Sequence, residues 1–422
     1  MRHLGTLLTL MLSATVAQAE DWPQWMGPNR DGLTSETGLL QEWPEAGPES
    51  AWLSREVGLG YSAPAVVGGR LYLMGARENA AGDQVEQLLA LDAETGDELW
   101  SVDLSEPLPN GWSKLYLDGW GVGPRGTPTV VGDRIYCLAS EGTLMCVSTS
   151  GQAVWRVQLT ELGGEIPKWG YSESPLVHNG RVIVTPGGSD GAIAAFDAST
   201  GEPLWRCSDL DDTAHYSSCL VATINGQEQC LQLLETRLVG IDPNNGDLLW
   251  QADWPGRVAV IPTPLVKGNQ VYVTTGYGVG CMLVEIAPDN TATVVYDNKA
   301  MKNHHGGVVL LGDHLYGHSD GVGWLCQDFA TGKRVWRERS ELGKGAIAYA
   351  DGRLYCLDEG TGELVLIEAS PNGWTEHGRF TLTPQTNRRS PSGKVWTHPV
   401  IANGRLYLRD QEILQAYNLQ AN

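Results

Sequence analysis

Phenylalanine is nearly absent from this 422-residue chain, which contains only 3, whereas glycine reaches 52 and tryptophan 16. Hydrophobic residues still make up 42% of the sequence, enough to bury a large core. Many short strands, many tight turns and a repeated tryptophan would produce this composition. An all-β protein is therefore expected.

Basic residues are also scarce: 29 Lys and Arg oppose 50 Asp and Glu, for a formal net charge of −21. A surface of this sign repels phosphate backbones and anionic lipid headgroups, which argues against nucleic-acid or peripheral membrane binding. A plainer interpretation is that the acidity keeps a large exported protein soluble.

No apolar run approaches the 18 residues of a membrane-spanning helix. The N-terminus instead has the three parts of a secretory signal: a positive Arg2, an apolar stretch over Leu7–Leu12, and Ala17-Gln18-Ala19 as a cleavage site. The residue directly after this site is Glu20 and not a cysteine. We therefore expect a signal peptide over 1–19, a cut after Ala19, no lipid anchor at the new N-terminus, and a periplasmic or secreted protein.

The eight cysteines include no adjacent pair and no C-x-x-C, so the usual zinc, haem and redox spacings are missing. Two pairs flank predicted hairpin turns, namely Cys137 with Cys146 and Cys219 with Cys230. For each pair, the spacing allows either a disulfide across the hairpin or two buried free thiols.

Catalytic signatures are few. The chain has no H-E-x-x-H and no phosphate-binding Walker loop. His304-His305 suggests a metal site, but neighbours on a strand point to opposite faces, so a packed histidine pair is the preferred interpretation.

What the sequence does contain is a repeat, which reads Asp92-Ala-Glu-Thr-Gly-Asp-Glu-Leu-Trp100 in its first copy. It returns at Asp197–Trp205, Asp242–Trp250 and Asp328–Trp336, with a shorter copy at Ser148–Trp155. The Asp carboxylate can accept turn amides, Gly suits a positive φ, and Trp on an outer strand can pack between neighbouring sheets. The repeat is predicted to be structural.

Eight strand openings accompany the repeat, each with small or proline-containing apolar residues, a glycine turn and, in most, an Arg-x-Tyr-like strand. They begin at Ser62, Gly126, Ser174, Ser217, Pro262, His305, Lys344 and His398. A recurrence of roughly 45 residues is typical of four-stranded propeller blades. The fifth and seventh units lack the Trp motif and have Glu285–Tyr296 and Glu368–Phe380 in its place.

The eighth unit has no fourth strand of its own, but Ser50–Val57 near the N-terminus matches Glu98–Leu104. Sharing one blade between both termini would close the ring without an open sheet edge. The prediction is an eight-bladed β-propeller of four-stranded antiparallel blades over 50–422, closed by this shared blade and expected to be a monomer. Residues 20–49 are predicted to be an irregular N-terminal segment, with Trp22 and Trp25 packed against the body.

The Asp-x-x-Thr-Gly-x-x-x-Trp repeat resembles that of the PQQ-binding-like, tryptophan-docking β-propeller proteins, over about 50–422. The segment Asp21–Gly32 looks like the leader of an exported branch of that family. The family includes quinoprotein alcohol dehydrogenases and the propeller scaffold of the outer-membrane β-barrel assembly machine. The resemblance therefore implies either a non-catalytic scaffold or a dehydrogenase of alcohols or sugars using PQQ with calcium.

The dehydrogenases of this family carry adjacent, disulfide-bonded cysteines over the quinone and a Glu/Asn/Asp calcium set. This chain has no Cys-Cys pair, and no calcium set can be placed by motif. No cofactor is assigned and no catalytic or metal-binding residue is named. The exported binding or scaffold protein is the preferred function, with the PQQ-dependent dehydrogenase as the alternative.

The loops that lead into the innermost strands should lie on one face, around the central channel. They carry basic and aromatic residues, which would attract anions and offer stacking surfaces. The candidate ligand-binding residues are Trp120, Arg125, Lys168, Trp169, Tyr171, His215, Arg257, His304, His305, Lys344, Trp396 and His398. An envelope protein or an anionic or carbohydrate-like ligand is the expected partner. The long loop Ser105–Arg125, with Trp112 and Tyr116, is predicted to form a lid or a plug.

Overall fold

A computed structural model describes residues 19–106 and 120–421. They form eight four-stranded antiparallel sheets, each of which is one blade of a β-propeller. The predicted fold class is confirmed. Trp112 and Tyr116 lie outside the described residues.

Blades 1 to 4 follow the chain order without a crossover. Blade 1 comprises β2 (Ala65–Val67), β3 (Arg70–Glu78), β4 (Gln84–Asp92) and β5 (Glu98–Asp103); blade 2, β6 (Thr129–Val131), β7 (Arg134–Leu138), β8 (Thr143–Ser148) and β9 (Ala153–Gln158); blade 3, β10 (Leu176–His178), β11 (Arg181–Val184), β12 (Ala194–Asp197) and β13 (Pro203–Arg206); blade 4, β14 (Leu220–Ile224), β15 (Gln227–Leu233), β16 (Arg237–Ile241) and β17 (Leu248–Asp253). One 3₁₀ turn, Leu159–Leu162, follows β9.

Blades 5 to 7 continue this order, and blade 8 takes its outer strand from the N-terminus. Blade 5 comprises β18 (Leu265–Lys267), β19 (Gln270–Thr275), β20 (Gly280–Ile286) and β21 (Ala292–Asn298); blade 6, β22 (Val308–Leu311), β23 (His314–Ser319), β24 (Gly323–Asp328) and β25 (Arg334–Glu338); blade 7, β26 (Gly345–Ala350), β27 (Arg353–Asp358), β28 (Glu363–Glu368) and β29 (Glu376–Thr381); blade 8, β30 (Val400–Ala402), β31 (Arg405–Asp410), β32 (Ile413–Asn418) and β1 (Ser50–Ser54).

The shared terminal blade is confirmed. β1 pairs antiparallel with β32, with Trp52 opposite Ala416 and Ser54 opposite Leu414. Backbone hydrogen bonds between the first and last strands of the propeller thus close the ring, and β32 is paired along both of its edges.

The core is divided among the junctions between blades. Eight apolar clusters each combine residues of two neighbouring blades, and together they cover all eight junctions of the ring. Each sheet therefore buries its two faces against its neighbours, and the apolar area that stabilises one blade depends on the next.

The repeat motif makes the contact between blades. Trp52 of blade 8 lies over the turn of blade 1, where its indole N–H donates to the Ala93 carbonyl at 3.0 Å. Asp92 Oδ1 accepts the amides of Glu94 and Thr95, which shapes that turn. Gly96 has φ of 75° and lies so close that an added Cβ would be 2.5 Å from the Trp52 ring. Only glycine satisfies both conditions.

The same arrangement recurs at three further junctions. The pairs are Trp100 with Gly151, Trp155 with Gly201 and Trp205 with Gly246. At the junction of blades 5 and 6, Tyr296 replaces Trp: its ring lies over Gly332 and its hydroxyl donates to the Phe329 carbonyl at 2.8 Å. Trp250 is an exception, since its indole donates to Gln229 of its own blade at 2.6 Å. Blade 5, which follows it, is one of the two units that lack the motif.

Antiparallel alternation assigns the connections of each blade to two faces of the ring. The hairpin from first to second strand and the turn from third to fourth lie on one face, here called the turn face. The connection from second to third strand and the one into the next blade lie on the other, the loop face. The repeat motif occupies the turn face, so the loop face is built by sequence that does not repeat.

All eight cysteines are buried free thiols. Cys146 pairs with Tyr136 across the hairpin, and Cys137 pairs with Met145. The two thiols therefore point to opposite faces of blade 2, and the disulfide alternative for this pair is wrong. Cys219 and Cys230 do share one interblade cluster, as free thiols.

Among the described residues, no helix has the length and apolarity needed to cross a membrane.

Trp52→Ala should lower the free energy of unfolding by about 3 kcal/mol, because it removes a large buried ring and its hydrogen bond from the closing junction. Leu53→Ala, at an adjacent side chain that is 37% exposed, should change it by less than about 0.5 kcal/mol. Urea denaturation followed by tryptophan fluorescence measures both. Equal losses for the two variants would contradict the assigned role of the ring.

Candidate functional site

The N-terminal segment fills the central channel. Residues 19–36, here called the channel plug, run along the innermost strands of several blades. Residues 39–43 continue along blades 7 and 8 to the outer strand β29, where the Trp43 amide donates to the His377 carbonyl at 2.8 Å. Trp22 bridges to Val66 on β2, and the Pro23 carbonyl accepts the amide of Val130 on β6 at 2.9 Å. Further along, the Gly32 carbonyl accepts the amide of Tyr349 on β26, also at 2.9 Å. The described residues of the channel plug contain no strand or helix and lie inside the ring.

Arg30 anchors the plug. Its side chain is almost fully buried, at 2% exposure, and its guanidinium donates to the carbonyls of Cys219 at 2.8 Å and Ser174 at 3.1 Å, and to that of Pro175. Its Nε donates to Gln24 within the plug at 2.8 Å. Burial lowers the pKa of Arg30 to about 10, so it remains a cation at neutral pH. Backbone carbonyls of blades 3 and 4 thus solvate a charge that holds the plug in register.

Above the plug, on the loop face, the channel opens into a cavity of about 420 Å³. Trp25 of the plug is part of its floor: its indole donates to Thr263 Oγ1 at 2.9 Å, and its ring centroid lies 4.7 Å from that of His398. We call this cavity the channel-mouth cavity. Its lining consists of Trp25, Tyr61, Trp120, Arg125, Lys168, Trp169, Ser172, Tyr216, Ser218, Val258, Ile261, Tyr277, His304, His305, Trp396 and His398.

One wall is a continuous series of stacked rings. Trp120 and Trp396 are 6.4 Å apart at an interplanar angle of 22°, and Trp396 and His305 are 4.9 Å apart at 26°. His305 stacks on His304 at 3.8 Å, and Tyr277 meets His304 edge-on at 4.3 Å. Five rings from four connections of the loop face thus form one continuous flat surface.

The opposite wall combines cations with aromatic rings. Lys168 Nζ lies 4.8 Å from the ring centroid of Trp169, which packs against Tyr216 at 5.7 Å. Arg125 donates to the Trp169 carbonyl at 3.0 Å, and its guanidinium carbon is 5.4 Å from the ring centroid of Tyr61. These cation–π contacts hold the two positive charges at the cavity wall.

The histidines contribute surface and hydrogen bonds but no charge at neutral pH. Burial lowers the pKa of His304 and of His398 to about 4, and Lys344 lowers that of His304 further. Burial, together with the neighbouring His304, also lowers the pKa of His305. Arg125 and Lys168 are therefore the charged groups of the lining, and none of the described lining residues is a carboxylate. The described lining residues thus carry positive charge within an acidic protein.

The structure places eight of the twelve predicted site residues in this lining: Trp120, Arg125, Lys168, Trp169, His304, His305, Trp396 and His398. Lys344 lies behind His304, to which it is hydrogen-bonded, and its Nζ is 3.0 Å from Asp320. The pair His304-His305 lies in the loop before β22 and not on a strand, which is why the two rings can stack on each other.

Three predicted residues lie elsewhere. Tyr171 is buried in the blade 2–3 cluster and donates its hydroxyl to the Pro186 carbonyl at 2.7 Å. His215 accepts the Val260 amide at 3.3 Å and pairs with Glu235, also at 3.3 Å. Arg257 is exposed and not part of the lining.

Sequence reasoning missed Trp25, Tyr61 and Tyr277. Tyr61 precedes the first innermost strand, so the rule applied to the other blades would have found it. Tyr277 lies in the connection from second to third strand of blade 5, the other type of connection on the loop face. No pattern in the sequence indicated that Trp25 enters the channel.

The residues present do not fit a calcium-supported quinone centre. Calcium needs six to eight oxygen ligands, usually with carboxylates among them, whereas the only side-chain oxygens of the described lining are hydroxyls. No group of three or more His, Cys, Asp or Glu able to hold a metal ion occurs in residues 19–106 and 120–421. A Gly-x-Ser-x-Gly sequence at 187–191 lies between two strands and is not followed by a helix, so it is not a nucleophile elbow.

Comparisons of both the sequence and the structure with known proteins point to the same family. A sequence-family model described as "Outer membrane protein assembly factor BamB" matches residues 84–338. The protein of that description from Burkholderia pseudomallei is 24% identical over 398 residues, which cover 91% of each chain. The crystal structure of BamB from Moraxella catarrhalis superposes with a TM-score of 0.58 at 14% identity, covering 84% of this chain and 96% of that one. At this identity the structural likeness concerns the fold alone.

A quinohemoprotein alcohol dehydrogenase from Comamonas testosteroni is 30% identical over 150 residues, which are 34% of this chain but 19% of the enzyme. The crystal structure of the enzyme of that name and organism superposes with a TM-score of 0.64 at 13% identity, covering 95% of this chain and 81% of that one. The shared feature is again the propeller fold.

Glu359, which lies beside His305 of the cavity wall, makes the stability of the protein depend on pH. Its Oε2 lies 3.8 Å from His305 Nδ1, and burial raises its pKa from 4.5 to about 7, although Lys344 opposes this. The folded state holds this proton to higher pH than the unfolded state does. The contribution of Glu359 to stability is therefore fully present below about pH 4.5 and lost as the pH rises through 7.

Glu359→Gln cannot ionise, so its stability relative to the wild-type chain should increase between pH 4.5 and 8, on the order of 2 kcal/mol. Urea denaturation at pH 4.5, 6 and 8 measures the difference. Glu368→Gln, which removes an exposed carboxylate from the same blade, is the control. If the difference in free energy of unfolding between Glu359→Gln and the wild-type chain did not change with pH over this range, the raised pKa of Glu359 would be contradicted.

Proposed function

The chain belongs to the family described as outer membrane protein assembly factor BamB, and on this premise we propose that it is a partner-binding scaffold of the cell envelope. Its channel-mouth cavity would hold a group of the partner that combines negative charge with a flat or apolar face. The predicted signal peptide supports a location in the periplasm or outside the cell. The observation that carries the proposal is the cavity itself, with its stacked aromatic wall, two cations and no carboxylate in the described lining.

Charge and shape support this choice of ligand. A funnel with one sign of charge raises the local concentration of counter-charged groups, and the low-dielectric rings around it strengthen the effect. An acidic protein segment with an aromatic or apolar side chain matches both walls: its carboxylate would face Lys168 and Arg125, and its side chain would stack on Trp396. An anionic or carbohydrate-like small molecule would use the same surfaces.

The scaffold interpretation also agrees with how the cavity is made. Its walls come from loops of different blades, which the interblade contacts hold in fixed relation, and its floor comes from a plug anchored by buried hydrogen bonds. A preorganised site loses little conformational entropy on binding. Trp120, at 48% exposure, stands at the rim, where a partner would first make contact.

Lys168→Gln and Trp396→Ala should each weaken partner binding about tenfold, because one removes a charge at the wall and the other the central ring of the stack. Binding of the mature chain to envelope extract is measured by photo-crosslinking from position 120, followed by titration of the crosslinked partner. Lys267→Gln is the matched control. Lys267 Nζ also lies over an aromatic ring, 5.7 Å from the ring centroid of Phe329, but Lys267 is in blade 5 and is not part of the cavity lining.

Unchanged binding in Lys168→Gln and Trp396→Ala, or an equal loss in Lys267→Gln, would contradict the proposed site. A second crosslinker at Val335, which is exposed on the outer strand of blade 6, tests whether the partner contacts the outer strands instead of the channel mouth. Crosslinking to the same partner from Val335 alone would place the interface on the outer strands.

The PQQ-dependent dehydrogenase is the alternative. It would require a set of calcium ligands beside the quinone, and the side chains of the described lining do not provide one. Incubation of the mature chain with PQQ and calcium should therefore give no dye-linked oxidation of ethanol or glucose and no protein-bound quinone absorbance. Turnover in this assay that Trp396→Ala abolishes would establish the dehydrogenase in place of the scaffold.

A further inference from the structure

A buried carboxylate at the end of the channel plug lies beside the first residues of the plug and has no cationic partner among the described residues. Glu36 is 1% exposed, and its carboxylate accepts three backbone amides: that of Glu20 at 2.9 Å, that of Gly404 at 2.9 Å, and that of Asn403. Among the described residues, no Lys, Arg or His forms an ion pair with it. Burying a carboxylate among neutral donors is costly, and a positive charge at this point would offset the cost.

Glu20 is held so that its backbone nitrogen points at this carboxylate. The Glu20 side chain accepts the Thr34 hydroxyl at 2.8 Å and the Ser35 amide at 2.6 Å. Residue 20 is thus fixed through its side chain and through its main chain, whereas the preceding Ala19 is exposed.

The neighbourhood is the seam where the ring closes. Asn403 and Gly404 form the hairpin between β30 and β31 of the shared blade, and the Asn403 side chain donates to Asp21 at 3.1 Å. Asp21 in turn accepts the amide of Gly68, in the hairpin between β2 and β3 of blade 1. Residues 20, 21 and 36 therefore connect the plug to both blades at the closing junction.

The predicted signal cleavage falls between the exposed and the fixed residue. A cut after Ala19 converts the Glu20 amide into an α-ammonium, which has three donors and a unit charge and whose pKa is about 8 in a free chain. We infer that removal of the leader creates a buried ion pair between the α-ammonium of Glu20 and the carboxylate of Glu36, which secures the channel plug at the closing seam. This ion pair is called the maturation latch below.

The uncut chain can make the same contact as a neutral hydrogen bond, so the latch changes charge and not geometry. The precursor should fold to the same propeller, but with a plug that is held less firmly. Because the floor of the channel-mouth cavity is part of this plug, the complete site would belong to the processed protein. The inference rests on the cleavage after Ala19 and is independent of what the cavity binds.

The test compares chains that differ only at the N-terminus. One form begins at Glu20, released from a fusion by a protease that leaves no extra residue; a second retains Gly-Ala before Glu20; both are also made with Glu36→Gln. In the wild-type background the extension should lower the thermal midpoint by a few degrees, since it replaces an ammonium with an amide. In the Glu36→Gln background the extension should have no effect.

A second readout follows the amine directly. The pH dependence of acylation of the α-amino group should show its pKa raised above about 8 in the wild-type chain, because the Glu36 carboxylate favours the charged form. Should Glu36→Gln not fold, this measurement on the wild-type chain decides alone. A normal α-amino pKa, an equal effect of the extension in both backgrounds, or an exported protein whose first residue is not Glu20 would each overturn the inference.

Discussion

The contact between an aromatic ring of one blade and the glycine turn of the next is the interaction on which the rest of this structure depends. A propeller has no single core, and each sheet buries its faces only against its neighbours. Trp52 over Gly96 shows why the motif combines these residues: the ring needs a surface without a Cβ, and the turn needs a positive φ. The Asp carboxylate shapes the turn, and its next carbonyl accepts the indole N–H.

This contact also explains why fold and function use different parts of the sequence. The repeat lies on the turn face, where five junctions between blades use the same contact of a ring with a glycine turn, so its residues are constrained to be alike. The loop face carries no such constraint. Connections there differ in length and composition, and they are brought together around the channel by a ring that does not depend on them. The basic and aromatic cavity occurs on this face because only this face is free to vary.

The channel plug adds a second constraint. A ring of eight blades leaves a central channel, and filling it requires groups that can pair with the inner strands. Arg30 does so through carbonyls of two blades, and Trp25 covers the plug toward the loop face. The plug thereby separates the channel-mouth cavity from the turn face and determines its depth. Fold closure and site formation are linked through the same N-terminal segment.

Much of the candidate site followed from one rule, that connections into innermost strands surround the channel. The rule failed where packing redirects a side chain. Tyr171 has the right position in the chain, but its hydroxyl finds a buried carbonyl, and His215 turns to Glu235. It also overlooked Trp25, because the path of an irregular segment depends on a channel that exists only once the ring has formed.

The sequence by itself determined the number of blades, their strand order, the closure by a shared blade and the structural role of the repeat. These features follow from local turn chemistry and a regular period, which act within about 45 residues of chain. Only the tertiary structure decided which non-repeating residues converge, that the histidines among them are uncharged at neutral pH, and that the N-terminal segment fills the channel. Convergence depends on the order of blades around the ring and on the direction of each side chain, and the charge of a buried histidine depends on its surroundings; neither is encoded in a local pattern.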